Sequence, residues 1–198
     1  MTNFDTSIDH ARELDRLDPL ASLRDRFHIP PRAGGDDEIY LVGNSLGLQP
    51  KNVAAFIAEE LEKWRNLGVR GHFESDHPWL PYHRRLTPTM GKIVGGHDDE
   101  VVMMNSLTVN LHLMMATFYR PTPSRHKILI EQHAFPSDHY AVQSQIRHHG
   151  LYPQDSLIEM PPVAGSELLD DEQICDTIRL HRDELALVLL PGVQYYTG

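Results

Sequence analysis

From about residue 100 onward the chain alternates short apolar runs with longer helical stretches, and this rhythm constrains the fold more than any other feature. Residues 101–104 form a short apolar run, and 106–119 is an apolar helix candidate with Val109, Leu113 and Met114 at core positions. KILIE at 127–131 reads as a strand, 137–149 as a helix stopped by Gly150, and 156–160 as a weaker strand. A polar-faced helix over 170–182 then leads to LALVLL at 185–190, a strand without alternation. Strands alternating with helices are the pattern of an α/β fold with a parallel sheet flanked by helices. A run that is apolar on both faces is expected as a central parallel strand. Such a strand needs cover on both sides, and residues 191–198 hold no helix pattern that could supply it. The expectation is that the 198 residues are a truncated portion of a longer protein.

The first half reads differently. Two polar helical stretches, 7–17 and 19–27, precede a break at Ile29-Pro30-Pro31 and Gly34-Gly35. A short extended run at 39–42 ends in the turn GNSLG at 43–47. The clearest helix is expected over 50–67, with Pro50 in its first turn and Gly68 as its stop. Val53, Ile57, Leu61 and Trp64 form one apolar stripe on it. RGHFESDHPWLPYH at 70–83 has no period and reads as a structured loop. The chain is thus expected to divide into a helical segment, 1–95, and the first part of a large α/β domain, 96–198.

Charge and cysteine use exclude several classes. Acidic residues outnumber basic ones 28 to 18, for a formal charge of −10. A nucleic-acid binder or a polybasic membrane anchor would need the opposite balance. No apolar run reaches the ~18 residues of a membrane span, and residues 1–15 lack the basic and apolar regions of a signal peptide. One cysteine, Cys175, fits a reducing compartment, so a cytoplasmic protein is expected. Acidic neighbours (Asp171, Glu172 and Asp176) argue against Cys175 as a nucleophile.

Two constellations could carry chemistry. Asn105-Ser106-Leu107-Thr108 stands where a helix begins, so its backbone N–H groups and hydroxyls could bind an anion. The plainer alternative is a helix cap without a ligand. Ala134-Phe135-Pro136-Ser137-Asp138-His139-Tyr140 follows the KILIE strand. There an aromatic could stack on a planar cofactor and a carboxylate could hold a protonated ring nitrogen. The plainer alternative is again a helix start, with Ser137 as cap and Asp138 favoured by the dipole. The 13 histidines include His72 and His77 beside Glu74 and Asp76, but no spacing matches a known ligand pattern, so no metal is expected. The Met103-Met104 and Met114-Met115 pairs read as core filler.

Several longer motifs occur together and in order: YLVGNSLGLQP at 40–50, RGHF at 70–73 with HPW following, MNSLTVNLHLMM at 104–115, KILIEQHAFPSDHYAVQSQ at 127–145 and GVQYYTG at 192–198. In these the chain resembles the kynureninase family, pyridoxal-phosphate enzymes of the aspartate-aminotransferase fold type (fold type I), over its amino-terminal portion. The resemblance implies that Leu107 and Thr108 bind the cofactor phosphate and that Phe135 stacks on the pyridine ring. It places Asp138 near the ring nitrogen, with Pro136 and Ser137 completing that loop, and His72 facing the substrate. Some relatives carry a serine before the GV of the last motif; here Pro191-Gly192 offers neither a hydroxyl nor, at the proline, an N–H.

The activity implied is hydrolysis of L-kynurenine, or its 3-hydroxy form, to an anthranilate and L-alanine, in tryptophan catabolism and NAD biosynthesis. A homodimer is implied as well, as is the absence of nucleic-acid and membrane partners. None of Lys51, Lys63, Lys92 and Lys127 matches the family's Schiff-base lysine, so no catalytic residue is assigned and the isolated 198 residues are expected to be inactive. Two alternatives stand beside this reading: an inactive fragment acting as a binding or dimerisation module, and another enzyme of the same fold type, such as a desulfurase-like relative.

Overall fold

The computed structural model describes residues 5–198; the first four residues of the polar stretch 1–15 lie outside the described residues. The chain divides into two compact units, one ending at Arg85 and one beginning at Leu86. The expected boundary lay ten residues later, at 95/96.

In the first unit, α1 (Ile8–Leu17) starts at Ser7, whose hydroxyl accepts from the His10 N–H at 3.2 Å. A 3-10 turn, Ala21–Arg26, replaces the second expected helix. It leads into β1 (Phe27–His28), which pairs antiparallel with β2 (Gln49–Pro50). Pro50 therefore belongs to a strand, and the helix expected from 50 starts later, as α2 (Val53–Leu67). Proline has the extended φ that a short edge strand also uses, so pairing with Phe27 decided its role. Gly68 ends α2 at φ 54°, as a glycine stop should, and a 3-10 turn, Gly68–His72, follows.

A further helix, α3 (Tyr82–Val94), begins just before the unit boundary. No helix was expected there. Pro88 in its interior removes one backbone donor and obscures the helical pattern in the sequence.

In the second unit, α4 (Leu107–Phe118) precedes β3 (Lys127–Glu131), α5 (Pro136–His148) and the single turn α6 (Pro153–Ser156). Then come β4 (Leu157–Met160), α7 (Asp171–His181) and β5 (Leu185–Val188). The sheet has the order β4-β3-β5 and is parallel throughout. Among these three strands KILIE lies in the middle, between β4 and β5. An apolar run reports that both faces are covered, whereas lateral position is set by pairing. A register shift opposite Lys127/Ile128 leaves Ala186 as the extra residue of β5.

Alternation along β3 builds a core on each face. Ile128 and Ile130 join Met115, Tyr119, Ala141, Val142 and Ile146 against α4 and α5. Leu129 joins Met160 and Leu185, with Ile174 and Ile178 of α7 beside them. Tyr119 is fully buried because its hydroxyl donates to the His126 carbonyl at 2.6 Å. The observed architecture is an α/β sheet with helices on both faces. Among the described residues, no helix is long and apolar enough to cross a membrane.

Candidate functional site

The two expected constellations lie at helix starts, and the fold brings those starts to one end of the sheet. Helix α4 leads into β3 and α5 leads out of it, so both helices run against the strand. Their contacts ascend together: His112 meets Gln145 at 3.0 Å, and Tyr119 meets His149 edge to face at 5.2 Å. The helices are therefore parallel. Leu107 and Thr108 open α4, and Phe135 to Asp138 open α5, both at the carboxyl end of β3. Ligands of open α/β sheets gather at that end.

The start of α4 is held open by its own sequence. Ser106 has the extended backbone of a cap (φ −69°, ψ 161°), yet its hydroxyl accepts no backbone hydrogen bond. The first helical bond runs from the Asn110 N–H to the Ser106 carbonyl, at 3.0 Å. The N–H groups of Leu107, Thr108 and Val109 therefore have no acceptor among the described residues. Asn110 also clips Asn105 from both sides: its side-chain oxygen accepts from the Asn105 N–H at 2.9 Å, and its amide donates to the Asn105 carbonyl at 3.0 Å. The capping duty expected of Ser106 or Asn105 is thus replaced by a fixed turn with three free donors. That arrangement suits an anion.

At the start of α5, Phe135 is the cap position and Pro136 opens the helix. The Asp138 N–H donates to the Phe135 carbonyl at 2.9 Å. Ser137 does not cap; its hydroxyl donates to the Asp138 carboxylate at 3.3 Å. Asp138 is half-buried and pairs with no cation among the described residues. Phe135 is 49% exposed.

Support for this loop comes from the chain's last motif. The Gln194 amide donates to the His133 carbonyl at 2.9 Å, and its oxygen accepts from the N–H groups of Tyr196 and Thr197. The Tyr195 ring stands edge to face with Phe135 at 5.1 Å. The sequence marked GVQYYTG as a motif, but nothing local in it shows that Tyr195 braces Phe135. An open anion cradle, a half-exposed aromatic and an unpaired carboxylate on one end of a sheet fit a phosphorylated pyridine.

His72 belongs to the first unit and stands on a different scaffold. Its ring lies edge to face with Trp79 at 5.2 Å and 6.1 Å from Phe73. Neither ring nitrogen has a hydrogen-bond partner among the described residues. Around it, the Glu60 carboxylate accepts from the Lys63 ammonium at 2.8 Å and from the Trp79 indole N–H at 2.6 Å. The Lys63 ammonium also donates to the His77 carbonyl at 2.7 Å. The donors on Glu60, Lys63 first and then Trp79, hold its carboxyl below the ordinary glutamate range. Sequence reading named Lys63 only as a lysine that matched no catalytic position; Glu60 three residues before it was the available signal. Among the described residues, no three His, Cys, Asp or Glu side chains converge as metal ligands.

No profile of a known protein family matches the chain. It is 55% identical over 195 residues to a kynureninase of Koribacter versatilis (strain Ellin345), which covers 98% of this chain and 46% of that protein. A kynureninase of Myxococcus xanthus (strain DK1622) is 52% identical over 195 residues, with the same coverage of each chain. One of Salinispora tropica is 50% identical over 190 residues, covering 95% of this chain and 44% of that protein. The chain spans about half the length of the curated relatives it matches. The resemblance read from its motifs is borne out: nearly all of this chain aligns, at 50–55% identity, with proteins named kynureninase, over slightly less than half of their length.

Proposed function

We propose that this chain is the part of a pyridoxal-phosphate-dependent kynureninase, of fold type I, that holds the cofactor's phosphate and ring. The observation that carries the proposal is the 55% identity to a protein named kynureninase over 98% of the chain. The open start of α4 and the unpaired Asp138 support it physically.

The role of each residue follows from its chemistry. The free N–H groups of Leu107 to Val109, with the Thr108 hydroxyl, would hold the phosphate dianion at the positive end of α4. Phe135, braced by Tyr195, would lie on the pyridine ring. Pro136 and Ser137 would fix the approach of that loop, and Asp138 would keep a proton on the ring nitrogen. When bound, pyridoxal phosphate supplies an electron sink that permits loss of an α-proton and cleavage of a nearby C–C bond. His72, with both ring nitrogens free, would donate to the aryl ketone oxygen of kynurenine or 3-hydroxykynurenine. The products would be an anthranilate and L-alanine, making the enzyme a hydrolase acting on a C–C bond.

A lysine that bears the cofactor is assigned to none of Lys51, Lys63, Lys92 or Lys127. Lys63 is engaged by Glu60 and His77, and Lys127 by Glu184 at 2.9 Å. The 198 residues alone are therefore expected to show no turnover. A homodimer is proposed as the working assembly, supported by the exposed apolar stripe of α2, where Ile57, Leu61 and Trp64 are all more than half exposed. The single cysteine supports a cytoplasmic setting.

The test is the intact mass of the native protein from its source after borohydride trapping. A chain about twice as long, with one pyridoxyl-lysine, is the expected result. A mass of 22.6 kDa without an adduct would overturn the proposal.

A further inference from the structure

We propose that Glu60, Lys63 and Trp79 form a positioning clamp for His72, a role that rests on the substrate-facing reading of that histidine. A side chain that donates to a ketone must be held in place while its donor atoms stay free. His72 meets both conditions. Its backbone is fixed from two sides: the Leu80 N–H donates to the His72 carbonyl at 3.2 Å, and the Trp79 N–H donates to the Gly71 carbonyl at 3.1 Å. Its ring rests against the Trp79 indole at 82°. Nothing among the described residues takes either ring nitrogen.

Trp79 is therefore the wall, and it is fixed in turn. Glu60 accepts its indole N–H, and a Cβ at Gly71 would stand 2.8 Å from its ring, so only glycine lets the loop close on it. Glu60 is held by Lys63, whose side chain is only 6% exposed. The Lys63 ammonium also lies 5.9 Å from the ring centres of both Trp79 and Tyr82. Desolvating the Lys63 ammonium costs free energy that an apolar side chain in its place would not incur. The contacts run from Lys63 through Glu60 and Trp79 to His72. They hold a loop that also carries Ser75 at φ 148°, a conformation that persists only where surroundings impose it. Glu60, Trp79 and His72 line a groove of about 490 Å³ with Leu61, Trp64 and Val69. The clamp thus sets His72 at the edge of an open, aromatic-walled space.

The experiment uses the native protein carrying this sequence, labelled at histidine Cε1, with pyridoxal content measured in every sample. Trp79→Phe removes the indole donor but keeps a ring. Lys63→Met removes the cation, Lys63→Arg restores it, and Glu60→Gln is an isosteric check against unfolding. Trp79→Phe, Lys63→Met and Glu60→Gln are expected to move and broaden the His72 Cε1 resonance. They should lower kcat for kynurenine about tenfold with little change in KM or pyridoxal content, and Lys63→Arg should recover most of both signals. An unmoved His72 resonance in Trp79→Phe and Lys63→Met, with turnover lost in His72→Ala, would overturn the clamp and leave the proposed function standing. Unchanged turnover in His72→Ala would overturn the substrate role of His72, and the positioning assignment with it.

Discussion

The unit beginning at Leu86 and the unit ending at Arg85 both offer apolar side chains, but they use them differently. All ten buried hydrophobic residues described fall between Met115 and Leu185. In the first unit the apolar stripe of α2 faces solvent, with Ile57 at 55% and Trp64 at 67% exposure. The buried residues there are Lys63 and Gly71, a cation and a glycine of the polar clamp. One unit is ordered by burying area. The other is ordered locally by charged hydrogen bonds around a loop. Burial of apolar area is non-directional and sums over many residues, whereas a clamp of this kind depends on each member.

The largest expected effect tests the sheet. Ile128→Ala, at a position with no exposure, should cost about 2–5 kcal/mol in urea unfolding. In the chain dissociated from any partner, Ile57→Ala on α2 should change it by only ~0.5 kcal/mol or less. An equal cost at the two sites would break the comparison and show that the α2 stripe is covered in solution. Next is the clamp. Lys63→Met should open residues 71–80 to hydrogen exchange by about 1–3 kcal/mol, because Glu60 loses its cation and the His77 carbonyl its donor. Exchange in β3 should stay as it was; loosening of both would mean that the units are not ordered independently.

Smaller still is the cap of α7, where the Asp170 carboxylate accepts from the N–H groups of Glu172 and Gln173. Asp170→Ala should lower stability by about 1 kcal/mol. The smallest effect is one of pH. Because Glu60 is held below its ordinary range, the clamp's contribution is complete above that range and lost as pH falls through the depressed value. The Trp79 indole N–H resonance should report that loss at acid pH, before the signals of the sheet core change.

Much of the second unit was legible because its signals are local. KILIE gave its strand limits directly, and Asp170 marked the start of α7. Leu107, Thr108 and Phe135 to Asp138 could be singled out as two helix starts. That both starts share one end of the sheet follows from chain direction, which alternation alone implies. Other features depended on distant partners. Pro50 became a strand residue through Phe27, and Pro88 hid a helix that the chain nevertheless forms. Tyr195 reaches Phe135 across sixty residues of chain, which no local pattern records.

The sequence by itself determined the α/β alternation, the two helix starts and the likeness to kynureninases. These follow from periodicity, capping chemistry and identity, which are properties of neighbouring residues and of residue order. Only the tertiary structure decided that KILIE lies between β4 and β5, that Tyr195 braces Phe135, and that Lys63 is buried behind Trp79. Lateral strand order and through-space support are set by which surfaces exclude water from one another, and that depends on contacts between residues far apart in the chain.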